Sequence, residues 1–450
     1  MPPDQNPEVQ ANFLGDEVLR ECRAGLTATS SSERSWMGVS NCVGVRDGRE
    51  IAGHAHGENN GLPRKLTSVE LFAGAGGLAL GVAKAGFKHL AVVERNPHAC
   101  ETIRRNQQLG HPLVRDWPLH EADVTKFDFS QFEDKVDLLA GGPPCQPFSL
   151  GGKHRGKEDK RDLFSEMIRA VREIRPKFVL VENVKGLLRP SFAPYFDYIL
   201  KRLEQPEITK KPDEKWEEHQ RRLQESVSAG LRYRVAHQCI NTADYGVPQK
   251  RWRVIILGIR EDLDLTPDFP EATHSDETLL WEKWVSGDYW KRHGIQPSRV
   301  NPSERLAPKI AKLEQRLFPP MLKPWTTVRD AFSGLPEPEL EPYLAQDFLN
   351  HAHNPGAKSY PGHTGSPLDL PAKALKAGDH GVPGGENMLV RLDGSIRYFT
   401  VRESGRLQCF PDDYFFPGTW TNVMKQLGNA VPCSVGEIFA SRIARTLSKR

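Results

Sequence analysis

The segment Gly-Gly-Pro-Pro-Cys-Gln-Pro-Phe-Ser at 141–149 holds one thiol, Cys145, in a turn that Pro143, Pro144 and Pro147 stiffen by fixing φ and restricting the residues before them. A lone buried cysteine usually behaves as a small hydrophobe. On a rigid polar turn that opens on a cleft, the same residue is a candidate nucleophile. Two further groups complement it. Glu182, in Glu182-Asn183-Val184, ends another apolar run and can hydrogen-bond and protonate a ring nitrogen. Arg251 and Arg253, two residues apart in Gln249-Lys-Arg-Trp-Arg253, point the same way in an extended segment and could hold a phosphate or a carbonyl oxygen. A separate glycine turn, Phe72-Ala-Gly-Ala-Gly-Gly77, lets backbone approach a ligand at Gly74 and Gly76. Glu94, at the end of the next apolar run, is placed to accept from ribose hydroxyls, and Asp123-Val124 adds an acceptor for an adenine amino group. The chain has no Gly-Lys-Ser/Thr, which disfavours a nucleoside triphosphate. An adenosine-containing cofactor without a pyrophosphate fits better.

These groups need elements that bring them to one edge. Leu66–Phe72 reads as a strand, Leu78–Ala85 as a helix that Gly86 can cap, and Leu90–Glu94 as a second strand, together one βαβ unit. Val136–Ala140, Phe178–Glu182 and Arg253–Gly258 continue the strands, and Leu163, Phe164, Met167, Ile168, Val171 and Ile174 form a helical stripe. The alternation predicts an α/β, Rossmann-like, mostly parallel sheet with ligands at the carboxyl ends of its strands. It predicts a catalytic domain at 65–260, with a charged, solvated helical insertion at about 205–228. Residues 261–396 turn rich in Pro, Gly, His and Trp and read as a smaller loop-rich domain. Helical pattern returns at Thr400–Phe410 and at Val435, Ile438, Phe439 and Ile443, so 397–450 is expected to rejoin the first domain. Residues 1–64 are polar and read as a disordered extension.

Composition narrows the class. A net charge of +3 permits nucleic-acid binding without demanding it. Seven cysteines without a Cys-x-x-Cys pair argue against a disulfide framework or a zinc site. No run is long and apolar enough to span a membrane, and no signal-peptide pattern opens the chain, so a cytoplasmic protein is expected.

The glycine turn, Gly142–Ser149, Glu182–Val184, Gln249–Arg253, Thr400-Val-Arg-Glu-Ser-Gly-Arg-Leu-Gln408 and Gln426-Leu-Gly-Asn-Ala-Val-Pro432 occur in the order found in bacterial DNA (cytosine-5)-methyltransferases, which the chain resembles over about 66–447. The resemblance implies that Cys145 adds to C6 of a cytosine flipped out of duplex DNA while Glu182 protonates N3. Arg253 would contact O2, with Arg251 near the backbone or the active site. C5 then takes a methyl group from S-adenosylmethionine, loses its proton and expels the cysteine. Phe72, Gly74, Gly76, Glu94, Asp123, Val124, Pro143 and Asn429 would bind the cofactor, with no metal required. Ser149, Lys153 and Arg155, in a Gly- and Lys-rich loop, and Gln249 would contact DNA. Residues 261–396 would be the target-recognition domain. The partners implied are a specific double-stranded DNA sequence and, genetically rather than physically, a restriction endonuclease. The protein would act as a monomer associated with the nucleoid. Transfer RNA as the acceptor, or a catalytically silent DNA-binding relative, are the alternatives.

Overall fold

A computed structural model of the protein describes residues 64–144, 163–226, 228–296, 302–358, 364–377 and 387–449. Seven strands form the central sheet: β1 (Thr67–Leu71), β2 (Lys88–Glu94), β3 (Leu119–Glu121), β4 (Leu138–Gly141), β5 (Phe178–Val184), β6 (Tyr233–Asn241) and β7 (Trp252–Arg260). Their spatial order is β3-β2-β1-β4-β5-β7-β6. The first five pair in parallel, and β7 runs antiparallel between β5 and β6. The sheet is therefore Rossmann-like and mostly parallel. The central strands are buried on both faces, which is why β4 and the first half of β5 read as continuous apolar runs.

The chain order places the carboxyl ends of β1, β2, β4 and β5 along one edge, with the start of antiparallel β7 beside them. The first crossover helix, α1 (Gly77–Lys84), begins at Gly76, whose φ of 90° is left-handed. Gly86 follows it at φ 93°, as a helix-stopping glycine should. Helix α2 (Pro97–Gln108) starts at Asn96, whose Oδ1 accepts from the N–H groups of His98 and Ala99. Helix α3 (Phe164–Ile174) buries the predicted stripe against the opposite face of the sheet from α1.

Two parts differ from expectation. No strand is expected from the residues at 233–241, yet β6 is nine residues long. It is an edge strand, half-buried over Arg234–Ala236 and exposed at His237 and Gln238, so its apolar signal is diluted. The charged stretch near 205–228 contains a helix, α5 (Trp216–Glu225), but is not simply solvated. His219 and Leu223 are buried against α4 (Ala193–Glu204), and the His219 ring bridges Tyr198 Oη (2.8 Å) to the Ile208 carbonyl (2.8 Å).

Between 261 and 396 the described residues form short helices and strands of two or three residues. One knot there is polar and deep: Asp369 takes Arg329 Nε (2.6 Å) and Tyr289 Oη (2.8 Å), while Lys283 Nζ donates to the Asp369 carbonyl (2.8 Å). The two-residue strand Ala372–Lys373 pairs with Gln249–Lys250, just before β7. The helix Val401–Leu407 is capped reciprocally by Thr400 and Glu403, and Arg402 donates to the carbonyls of Leu349, Pro411 and Tyr414.

The C-terminal helix Cys433–Leu447 lies along α1, at a separation only glycine permits. A Cβ on Gly77 would stand 2.3 Å from the Val431 carbonyl oxygen, and one on Gly81 would stand 2.4 Å from that of Cys433. Backbone cannot yield as a side-chain tip can. Gly81→Ala should therefore lower stability by about 3 kcal/mol, despite alanine's better helix propensity. Urea denaturation checks this, and an unchanged midpoint would show that the two helices can part without cost.

Candidate active site

Along the carboxyl edge of the sheet lies a cavity of about 640 Å³. Its walls come from the ends of β1, β2, β4 and β5, the start of β7, residues 374–377, and the end of the helix Trp420–Asn429 with the turn after it. Among the predicted residues, Phe72, Gly74, Glu94, Asp123, Val124, Pro143, Glu182, Arg251, Arg253 and Asn429 all line it. Cys145, Ser149, Lys153 and Arg155 lie outside the described residues. The described chain reaches Pro144, at the cavity wall, and Asn183 Nδ2 fixes this approach by donating to the Pro143 carbonyl (3.0 Å).

The acid and the arginine meet as the sheet register dictates. Val184 stands opposite Arg253 and Glu182 opposite Ile255, so Glu182 and Arg253 are diagonal neighbours on one face. Arg253 Nε is 2.5 Å from Glu182 Oε1, and its Nη1 donates to the Trp252 carbonyl (2.8 Å). Glu182 is 8% exposed, its open side turned to the cavity.

On the other side of the cavity the glycine turn is held by carboxylate. Glu94 Oε2 accepts from Gly74 N–H (2.8 Å), and Oε1 accepts from the N–H groups of Arg95 and Asn96 (2.8 and 2.7 Å). Phe72 has a φ of 57°, unusual for a residue with a Cβ and of the kind that gathers at ligand sites. Gly74, at φ 55°, has open space where a Cβ would point. Asp123 Oδ1 accepts from Thr125 N–H and Oγ1, and Arg95 approaches Oδ2 at 3.3 Å. The Thr125 backbone and hydroxyl bonds, aided by Arg95, hold the Asp123 carboxyl below its usual range.

The structure corrects two placements. Gly76 does not line the cavity. It caps α1, and a Cβ there would press on the Trp117 ring at 3.2 Å. Gln249 is fully buried, donating to the Leu407 carbonyl (3.2 Å) and accepting from Leu375 N–H (3.1 Å), so its amide is spent inside the protein and does not face DNA. Arg251 does reach the cavity, but its guanidinium is committed: Nη1 donates to the Leu375 carbonyl (2.9 Å) and Nη2 to that of Gly428 (2.5 Å). Burial pushes its pKa well down, and Arg253 nearby adds to the effect.

Two cavity residues escaped the sequence reading. Glu70, in the middle of β1, is 1% exposed and leaves Oε2 without a hydrogen-bond partner among the described residues. Gln426 accepts from Thr102 Oγ1 (2.8 Å) but leaves Nε2 unpaired in the same way. A glutamate between Val69 and Leu71 in a central strand is a signal the sequence does contain. The donor and acceptor sets suit an adenosine with an amino-acid tail. Acceptors at Glu94 and Asp123 face one part of the cavity, the space beside Gly74 admits close backbone contact, and Glu70 and Gln426 offer unsatisfied polar atoms.

Comparison with known proteins settles the family. The model of C-5 cytosine-specific DNA methylases matches residues 66–445. The chain belongs to that family. It is a DNA (cytosine-5)-methyltransferase, using S-adenosylmethionine as methyl donor and DNA as substrate. Type II methyltransferase M.NgoMIV of Neisseria gonorrhoeae is 32% identical over 388 residues, 86% of this chain and 99% of that protein. Type II methyltransferase M.Eco47II of Escherichia coli is 32% identical over 386 residues, 85% of this chain and 80% of that protein. Among solved structures, the methyltransferase EhMeth of Entamoeba histolytica superposes with a TM-score of 0.51 at 15% identity, covering 85% of this chain and 99% of that one. The S. pombe Dnmt2 methyltransferase gives 0.50 at 16% identity with the same coverages. At such identities these two likenesses bear on the fold alone. Among the described residues of this methyltransferase, no three His, Cys, Asp or Glu side chains converge as a metal site would require, and no helix is long and apolar enough to cross a membrane.

Burial holds the Glu70 carboxyl well above its ordinary 4.5, so the folded methyltransferase keeps it neutral where the unfolded chain would ionise it. A carboxyl raised on folding stabilises fully only below its unfolded pKa, and that contribution is lost as pH climbs toward the folded value. Glu70→Gln, which cannot ionise, should thus gain stability relative to wild type as pH rises above the ordinary carboxyl range. The gain should approach about 1.4 kcal/mol per pH unit until the folded carboxyl titrates. Urea midpoints of both proteins over about pH 5 to pH 8 measure it, and a gap that stays constant would contradict a neutral buried Glu70.

Proposed function

We propose that Cys145, Glu182 and Arg253 carry the chemistry of this methyltransferase, with S-adenosylmethionine lodged between Phe72, Gly74, Glu94, Asp123, Val124, Pro143 and Asn429. The observation that carries the reading is the Glu182–Arg253 pair on the cavity wall toward which Pro143 and Pro144 lead. Cytosine C5 is a poor nucleophile. Addition of the Cys145 thiolate to C6 forms an S–C6 bond, and a proton delivered to N3 through Glu182 takes up the ring's charge, leaving an enamine at C5. Arg253, already aimed by Glu182 and the Trp252 carbonyl, donates to O2. S-adenosylmethionine, when bound, supplies an electrophilic methyl group on a sulfonium. Removal of the C5 proton then returns electrons to the ring and breaks the S–C6 bond, releasing Cys145. Arg251 is a positioning residue in this scheme, because its donors are held by backbone carbonyls.

The same reading assigns 65–260 and 397–450 to the catalytic domain and 261–396 to recognition of a specific double-stranded sequence. Ser149, Lys153 and Arg155 contact the DNA backbone. The Type II names of the relatives support a modification role beside a restriction endonuclease encoded nearby, with the enzyme acting as a monomer in the cytoplasm.

Expression in a host without cytosine methylation, followed by bisulfite mapping, tests the activity and its target together. Methylcytosine confined to one short sequence is expected; an unmethylated genome despite folded protein would sink the reading. Cys145→Ser should abolish transfer while cofactor affinity stays within about twofold. Glu182→Gln should lower kcat by about 10²-fold or more, the usual worth of a positioned acid. Near-normal turnover in either variant would remove that residue from its role.

A further inference from the structure

We propose that Trp252 and Lys185, each next in sequence to a residue of the active-site wall, form a docking point for the DNA strand beside the target cytosine; this rests on the function proposed above. Trp252 stands between Arg251 and Arg253, both of which line the cavity, yet its indole is 47% exposed. That is a large apolar surface to leave in water one residue from the wall of a site that a duplex must approach. In β7 its side chain takes the opposite face of the sheet from Arg253, across from Asn241 of β6. The ring is held in place by the Lys185 ammonium, 4.3 Å from its centroid, and Lys185 itself is exposed one residue beyond Val184.

The pairing suits a nucleic acid. A flipped cytosine leaves its neighbours partly unstacked, and an exposed indole offers a flat surface to an unstacked base or a sugar. Lys185 supplies positive charge for the adjoining phosphate. An isolated exposed tryptophan beside a carboxylate would not carry this inference. Here the charge at the ring is the Lys185 ammonium, and the Glu182 carboxylate lies on the other face of the sheet, paired with Arg253. Seating DNA on the ring also bears on the chemistry, since the Trp252 carbonyl accepts from Arg253 Nη1 at 2.8 Å. A backbone shift at Trp252 would move the anchor proposed for cytosine O2.

The test is steady-state transfer of labelled methyl groups from S-adenosylmethionine to unmethylated plasmid DNA by the full-length enzyme. Trp252→Ala should raise KM for the plasmid about tenfold or more, leave KM for S-adenosylmethionine within about twofold, and be largely rescued by Trp252→Phe. Lys185→Glu, a surface charge reversal that disturbs no core, should raise KM for plasmid most at low salt, the gap from wild type narrowing as salt rises. Within Trp252→Ala the same reversal should add little. An unchanged KM for plasmid in both single variants overturns the docking role, as does a loss confined to cofactor affinity. A wild-type enzyme that leaves the plasmid unmethylated defeats the underlying function instead, so the two failures are told apart.

Discussion

The site depends on one buried cation. Arg251 is 2% exposed and ties together three stretches far apart in sequence: the start of β7, the segment at Leu375, and the end of the helix Trp420–Asn429 at Gly428. Removing a guanidinium from water costs several kcal/mol, repaid only when its donors are met. Here backbone carbonyls meet Nη1 and Nη2, while among the described residues Nε has no hydrogen-bond partner and no carboxylate is in direct contact. Carbonyls of loops have few other partners at this depth, so the cation and the loops stabilise one another. Lysine could not substitute, because a single ammonium cannot reach two carbonyls held by separate segments in the fixed fork of a guanidinium.

That clamp sets what Arg253 can do. Two residues along, on the same side of the extended chain, Arg253 finds its sister's donors committed and turns to Glu182 and the Trp252 carbonyl. The two arginines repel, and Glu182 offsets that repulsion at the point where a substrate would enter. A preformed pair of opposite charges at a cavity wall resists reorientation, so the groups need little rearrangement when a ring arrives between them. The register of β5 against β7 fixes this arrangement more firmly than any loop could.

The sequence announced those features in which chemistry dictates residue type. Prolines around a cysteine, glycines after a strand, and acids ending apolar runs are all uncommon combinations with a physical purpose, and they led to the cavity wall. Features decided by distant partners were not legible. Gln249 sits among basic residues and looks like a DNA contact; only the approach of Leu375 and Leu407 turns its amide inward. Gly76 looks like a ligand-cradling glycine until Trp117 occupies the space above it. Edge strand β6 escaped because one of its faces is shared with solvent, and periodicity weakens wherever burial is partial.

The neighbouring glycines after β1 make the same point at atomic scale. Gly74 faces an empty cavity, Gly76 an aromatic ring, and Gly77 the carbonyl of Val431 on the returning C-terminal segment. Three glycines within four residues therefore meet the ligand side, the core and the far end of the chain at once. The turn that Gly77 touches continues from Gly428, the acceptor of Arg251. The wall beside the proposed methyl-donor site and the wall beside Glu182 and Arg253 are thus braced by the same few backbone carbonyls. A change of volume at Gly77 would push on Val431, and through that turn on the clamp that orients the arginines, although no side chain of the glycine run reaches them.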